Sequence, residues 1–389
     1  MDRSVEGNNY PFVMRNAFIV LTLLGLTACK HTDSFVSKVA GGDTFPVRYA
    51  KGFSIIRYPS YDHLQVYNPW QGARGVVLNY LLSRHPENIN NPAYPVIKVP
   101  VTRVVCFSTT HIAMIDALGK SGSIVGVSGS HLVCNQTVQH NIRQGKAVDV
   151  GYPGNMNYEL LMSIKPDVIF VYGVGNEAVP FVKKLSELGF VVVFNAEFLE
   201  NTPLGKAEWI LFMSMFYDAC EQARQIFDTV AVEYFRLKQC VAGITQRPRV
   251  LYGLPWNGIW YMAGGQSYAA RLIEDAGGDY LWKDLETHEA LPLTIEAVIA
   301  RAAGADVWIN AGAAGSRKDI LAVEKRLASL KVFQQGNIYN NNARVLPGGG
   351  NDYWESGVMK PQLILKDLIH IFHPEKDSAS SFYYYRKLE

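Results

Sequence analysis

Cysteine is scarce in this sequence, net charge is nearly absent, and no apolar run is long enough to cross a bilayer as a stable helix. Five cysteines in 389 residues are too few to staple a chain of this length. Cys220 and Cys240 fall near opposite ends of one helical pattern, about 30 Å apart at 1.5 Å per residue, so they cannot bridge unless that helix breaks. Cys106 and Cys134 could pair, yet their spacing matches no zinc or redox pattern, and buried free thiols are expected for all four. Lys and Arg number 37 against 35 Asp and Glu, a net charge of +2, with no basic stripe, which argues against a nucleic-acid partner. No Gly-x-Ser-x-Gly elbow is present to activate Ser108 or Ser267. Gly348-Gly349-Gly350 lacks the strand, lysine and hydroxyl of a phosphate loop and reads as a tight turn before Asn351. His111, His131, His140 and His288 show no paired spacing, so neither a metal site nor a resident cofactor is expected.

What is present begins at the N-terminus. A basic residue, Arg15, precedes the short apolar stretch Ala17 to Leu26, which ends in Thr27-Ala28-Cys29. This order reads as an export signal. The ending Leu26-Thr27-Ala28-Cys29 resembles the lipobox of bacterial lipoproteins, which implies that residues 1–29 are a signal and that Cys29 is lipidated. Residues 1–13 lie awkwardly upstream, so Met14 is an alternative start. The expected product is an exported protein held to a membrane by its lipid alone.

Residues 30–45 read as a polar tether, and 46–101 as an extension built on a β-hairpin (53–58 and 64–67). From Thr102 an α/β alternation runs to about 205 and resumes from 247 to 389. Between them, 206–246 is a helical linker, with Asp218 and Glu221 predicting a capped helix over 219–242. The halves echo each other. Asn157-Tyr158-Glu159 starts a helix that returns as Asp167-Val168-Ile169-Phe170, and Thr294-Ile295-Glu296 starts one that returns as Asp306-Val307-Trp308-Ile309. The expected fold is therefore α/β, with two Rossmann-like lobes joined by a long helix and a ligand cleft between them.

This arrangement resembles the substrate-binding proteins of bacterial ABC importers, in the group with a rigid interlobe helix that carries ferric siderophores, haem or cobalamin. The resemblance rests on Arg103-Val104-Val105 to Gly119, Asn157 to Ile169, Gly264-Gly265-Gln266-Ser267 to Gly277-Gly278, and Pro361 to Glu375. Asn201 to Trp209 and Asn351 to Glu355 resemble Bacteroidetes-type members. The resemblance implies a periplasmic monomer whose partners are a permease dimer and its ATPase, with Glu159 and Glu296 docking on permease arginines. It implies a binding protein and not an enzyme. A ferric chelate is the first expected ligand and a corrinoid the second; an exported enzyme on a related scaffold is the alternative of another class. Residues at strand ends offered for the cleft are Ser108, Thr109, His111, Tyr152, Tyr172, Trp256, Trp260, Trp308, Arg317 and Trp354, an aromatic set with a few polar anchors. Arg271 and Arg344 are further candidates to meet an anionic chelate.

Overall fold

The computed structural model describes residues 41–89, 94–174, 178–376 and 381–389. Cys29, the export signal and most of the expected tether lie outside the described residues. Among those described, no helix is long and apolar enough to cross a membrane; Cys106, Cys134, Cys220 and Cys240 are free thiols as expected, but only Cys106 is buried, Cys134 and Cys220 being half-buried and Cys240 exposed.

Runs of Val, Ile and Phe without alternation make strands buried on both faces, the signature of parallel sheets covered by helices. Val104–Cys106, Ile124–Val127 and Val168–Val171 are buried throughout. They form the first lobe's five-stranded parallel sheet, in the order Val192–Phe194, Val168–Val171, Val104–Cys106, Ile124–Val127, Val148–Asp149. The second lobe repeats the plan with Asp279–Tyr280, Arg249–Tyr252, Val307–Ile309 and Ile338–Asn340 in parallel, closed by an antiparallel strand, Arg386–Lys387. The echo in sequence is an echo in hydrogen bonds. Asp167 accepts the backbone N–H of Arg103 at 2.9 Å, and Asp306 accepts that of Arg249 at 2.9 Å. Each aspartate thus fastens the start of its lobe's first strand to the strand that it precedes. The paired helices Tyr158–Ile164 and Ile295–Ala302 are capped by Asn157 and Thr294.

Helix Pro203–Met215 is more than a linker: almost every residue in it is buried. It packs on helix Cys220–Val241, which leads into the second lobe and also packs on Pro361–Phe372. The expected Asp218–Glu221 cap does not form. Asp218 adopts a left-handed backbone conformation, φ +56°, its carboxylate is taken by Arg84, and the helix begins after Ala219 without a side-chain cap.

The extension is larger than a hairpin. Phe53–Arg57 and Asp62–Tyr67 are the second and third strands of a five-stranded sheet that also holds Asp43–Phe45, Val77–Ser83 and Val96–Lys98. The last residues of the expected tether, from Asp43, therefore belong to a strand. Alternation buries Phe53, Ile55, Leu64 and Val66, and the Phe53 ring meets Trp209 at 4.8 Å. Two buried acids bolt the sheet to the first lobe. Glu208 accepts the backbone N–H groups of Arg48 (2.8 Å), Tyr49 (2.6 Å) and Ala50 (2.9 Å). Glu200 accepts those of Lys51 and Gly52, together with the Trp209 indole.

Candidate ligand-binding cleft

Strand order decides where a ligand can sit. In the first lobe the chain steps outward from Val104–Cys106 through Ile124–Val127 to Val148–Asp149, then returns to add Val168–Val171 on the other side. Crevices beyond the carboxyl ends of parallel strands at such a reversal are ligand sites. The loops leaving these four strands carry Ser108 and Thr109, Ser128, Tyr152, and Tyr172 and Val174, and all of them line one cavity of about 440 Å³. The second lobe supplies the facing wall through Gly349, Gly350, Asn351 and Trp354.

The walls are aromatic and wet. Tyr152, Tyr172 and Trp354 are 42%, 45% and 54% exposed, large apolar surface left open in a concave place. Each ring leans on another group: Tyr172 on Phe198 at 6.0 Å, Trp354 on Tyr353 at 4.6 Å, and the Tyr152 hydroxyl over Gly129, where a Cβ would come within 2.3 Å of it. Partial burial, with Asp149 and Tyr172 nearby, raises the Tyr152 phenol above its ordinary value, so at neutral pH it presents a neutral hydroxyl. Asp149 itself shapes the loops. Burial opposes its charge, but the N–H groups of Ser130, Gly151 and Gly129 outweigh that and hold its carboxyl below the usual range. None of the described lining residues carries a formal charge.

The structure brings together Ser108, Thr109, Tyr152, Tyr172 and Trp354 and leaves the other five predicted residues elsewhere. His111 lies on the inner face of helix Thr109–Ala117, fully buried, with neither ring nitrogen hydrogen-bonded; burial pushes its imidazolium form down to about 3. Trp260 and Trp308 have no exposed surface. Their indoles donate to the backbone carbonyls of Tyr252, the last residue of its strand, and Gly253, the residue after it, at 3.1 and 2.8 Å. Trp256 is exposed on a turn outside the cavity lining. Arg317 stacks on Phe333 at 4.6 Å and donates to its carbonyl. Of the other arginines, Arg344 pairs with Asp352 and Arg271 with Glu274. Phe107, Leu132, Val174 and Phe181 also line the cavity but carry no signal in sequence beyond being apolar. Ser108 and Ser267 have structural partners: each caps a helix, accepting the N–H of Thr110 and Ala270 at 3.2 Å.

Behind the cavity the lobes meet backbone to backbone. A Cβ on Gly350 would stand 2.5 Å from the Leu132 carbonyl oxygen, and one on Gly348 2.7 Å from that of His131. Glu355 completes this seam by accepting the N–H of Cys134 at 2.7 Å.

Residues 104–344 match the family described as periplasmic binding protein. The chain belongs to the periplasmic binding protein family. This periplasmic binding protein is similar to an uncharacterized lipoprotein of Methanocaldococcus jannaschii, at 28% identity over 374 residues, covering 88% of this chain and 85% of the relative. Its fold is similar to that of a periplasmic heme binding protein from Pseudomonas aeruginosa, with TM-score 0.56 and 18% identity over 74% of this chain and 98% of that one. A periplasmic vitamin B12 binding protein from Vibrio cholerae aligns with TM-score 0.51 and 16% identity over 72% of this chain and 99% of that one. The family and both structural neighbours are binding proteins. The match begins at Val104 and stops at Arg344, so the five-stranded extension and the Gly349–Trp354 wall lie outside it.

Proposed function

We propose that this periplasmic binding protein is the solute-binding component of an ABC importer, and that it captures a metal chelate of low net charge, foremost a ferric hydroxamate siderophore. The observation that carries this reading is a wall of three exposed rings with no charged side chain among the described lining residues. Apolar and planar ligand surface packs well on such rings. A polyanionic chelate would leave water for a cavity that offers it no cation. A bare ion is less well served still, since among the described residues no three His, Cys, Asp or Glu side chains converge on one point. A corrinoid is the second reading, favoured by the fold shared with the vitamin B12 binding protein and by the flat faces of Tyr152, Tyr172 and Trp354.

Delivery to a permease dimer with its ATPase is the other half of the proposal. Glu159 and Glu296 support it, both being exposed in the first turns of corresponding helices; Glu296 would exchange its partner Arg326, at 2.5 Å, for a permease arginine. We read Cys220–Val241, which leads from one lobe to the other, as limiting how far they close, and Cys29 as the lipid anchor, in keeping with the lipoprotein relative. Quenching of tryptophan fluorescence tests the ligand. Ferrichrome, a trianionic ferric catecholate, cyanocobalamin, haemin and Ni²⁺ are titrated against the wild type and Trp354→Phe. Saturable quenching by ferrichrome or cyanocobalamin, diminished in the variant, is the expected result. Tight binding of the catecholate or of Ni²⁺ alone would refute the reading.

A further inference from the structure

We propose that Trp70, which lies in the extension and outside the family match, is a positioning residue for the cleft: it holds the Tyr172–Val174 segment in the conformation that presents Tyr172 to the ligand. The inference rests on the cavity described above being the ligand site.

Trp70 sits on the loop between strands Asp62–Tyr67 and Val77–Ser83 and forms an isolated parallel bridge with Gly173. The next residue, Gln71, donates its N–H to the Gly173 carbonyl at 3.2 Å. Gly173 lies between the two wall residues Tyr172 and Val174. Side chains alternate along extended backbone, so Tyr172 and Val174 share one face of the segment, and fixing the backbone of Gly173 between them fixes the direction of both. The Trp70 ring is itself seated on the lobe, 5.6 Å from the ring of Phe194 at the end of an edge strand.

This loop suits the role because it is braced at both ends. Asn68, at φ +46°, donates its N–H to the Val76 carbonyl at 2.8 Å, and Ala73 donates to the Trp70 carbonyl at 3.0 Å. The sheet that carries the loop is fastened by Glu200 and Glu208 to the start of helix Pro203–Met215 and the turn before it. The Tyr172 wall is thus held between two anchors, Phe198 against its ring and Trp70 against its backbone. A lobe without the extension would keep the first and lose the second.

The test uses the full chain with Trp70→Ala, Trp70→Phe, Gln71→Pro, Tyr172→Ala and the double variant Trp70→Ala with Tyr172→Ala. Gln71→Pro removes the N–H that reaches Gly173 while Trp70 keeps the extended conformation a following proline favours. Ferrichrome and cyanocobalamin are the probes. Trp70→Ala and Gln71→Pro should each weaken binding by up to about tenfold, the scale of one aromatic contact, and Trp70→Phe should restore it to within about twofold. The double variant should bind no more weakly than Tyr172→Ala alone, because Trp70 acts through Tyr172. Additive losses, or wild-type affinity in Trp70→Ala, would overturn the proposal. Hydrogen exchange over 171–174 needs no ligand and should rise in Trp70→Ala; unchanged exchange would also overturn it. Should the wild type bind neither probe, the ligand reading fails, and exchange alone decides the role of Trp70.

Discussion

Replacing Glu355 with glutamine should stabilise the protein at neutral and alkaline pH and leave it unchanged in acid. Glu355 is 2% exposed, and its carboxylate accepts the Cys134 N–H across the seam between the lobes. Burial, chiefly, pushes its carboxyl from 4.5 up to about 7; the N–H of Cys134 opposes the rise, Asp352 adds to it, and Asp116 contributes least. An acid raised in this way favours the fold while it is protonated in both states, below about pH 4.5, and that contribution is lost as the pH climbs through about 7. The gap between 4.5 and about 7 corresponds to about 3 kcal/mol once the group is ionised. Glutamine keeps an acceptor for Cys134 and has no proton to lose. Urea unfolding of both proteins between pH 4 and pH 8.5 checks this, since titrating groups that do not interact with Glu355 contribute equally to each and cancel in the difference. The curves should coincide in acid and separate to about 3 kcal/mol at the alkaline end. Parallel profiles across the whole range would show that the seam does not hold a proton on Glu355.

Gly350→Ala should lower stability by about 1–3 kcal/mol and weaken ligand binding, since its Cβ would meet backbone of Leu132 that cannot swing aside; Gly122→Ala, with open space around it, is the control, and calorimetry with ligand titration is the measurement. Glu208→Ala removes the buried acceptor of three backbone donors and should loosen the extension by about 1–3 kcal/mol, read as early proteolysis between residues 41 and 52. Glu159→Ala with Glu296→Ala should bind ligand as the wild type does and fail to support uptake, because both carboxylates are exposed and contribute little to folding; lost ligand affinity with uptake intact would refute the docking assignment. Cys29→Ser should move the protein from the membrane to the soluble fraction with its ligand affinity intact, and retention on the membrane would argue against lipidation there.

The parts of the fold legible in the sequence were those set by local chemistry. The apolar run behind Asp167 places Val168–Val171 to within a residue, and the caps Asn157 and Thr294 start their helices where a side-chain oxygen followed by a first-turn glutamate says they should. Long-range pairing was not legible. Asp43–Phe45 and Val96–Lys98 join the extension's sheet through partners that no local pattern names. For the cleft, the loops were legible but the facing of each side chain was not. Thr109 and His111 stand two residues apart on one helix. With Ser108 as the cap, His111 falls on the buried side and Thr109 faces the cavity. Trp308 is the middle residue of a strand buried on both faces, so nearness to the strand's end could not open it to a ligand.

The three glycines before Asn351 show how a correct local reading can miss a tertiary role. Only Gly349, at φ +91°, needs the conformational freedom of a turn. Gly348 and Gly350 are required for the absence of a side chain, because the carbonyls of His131 and Leu132 occupy the space a Cβ would fill. A seam made of backbone against backbone has no side chain to reorient and little room to compress. The two lobes therefore cannot draw closer at that edge, and the cavity it closes must adapt to a ligand by another route. The surface left open to a ligand there is that of the rings of Tyr152, Tyr172 and Trp354, each about half open to solvent. The cavity thus offers these rings inside a frame, with the seam fixing one wall and the Trp70 bridge bracing the other.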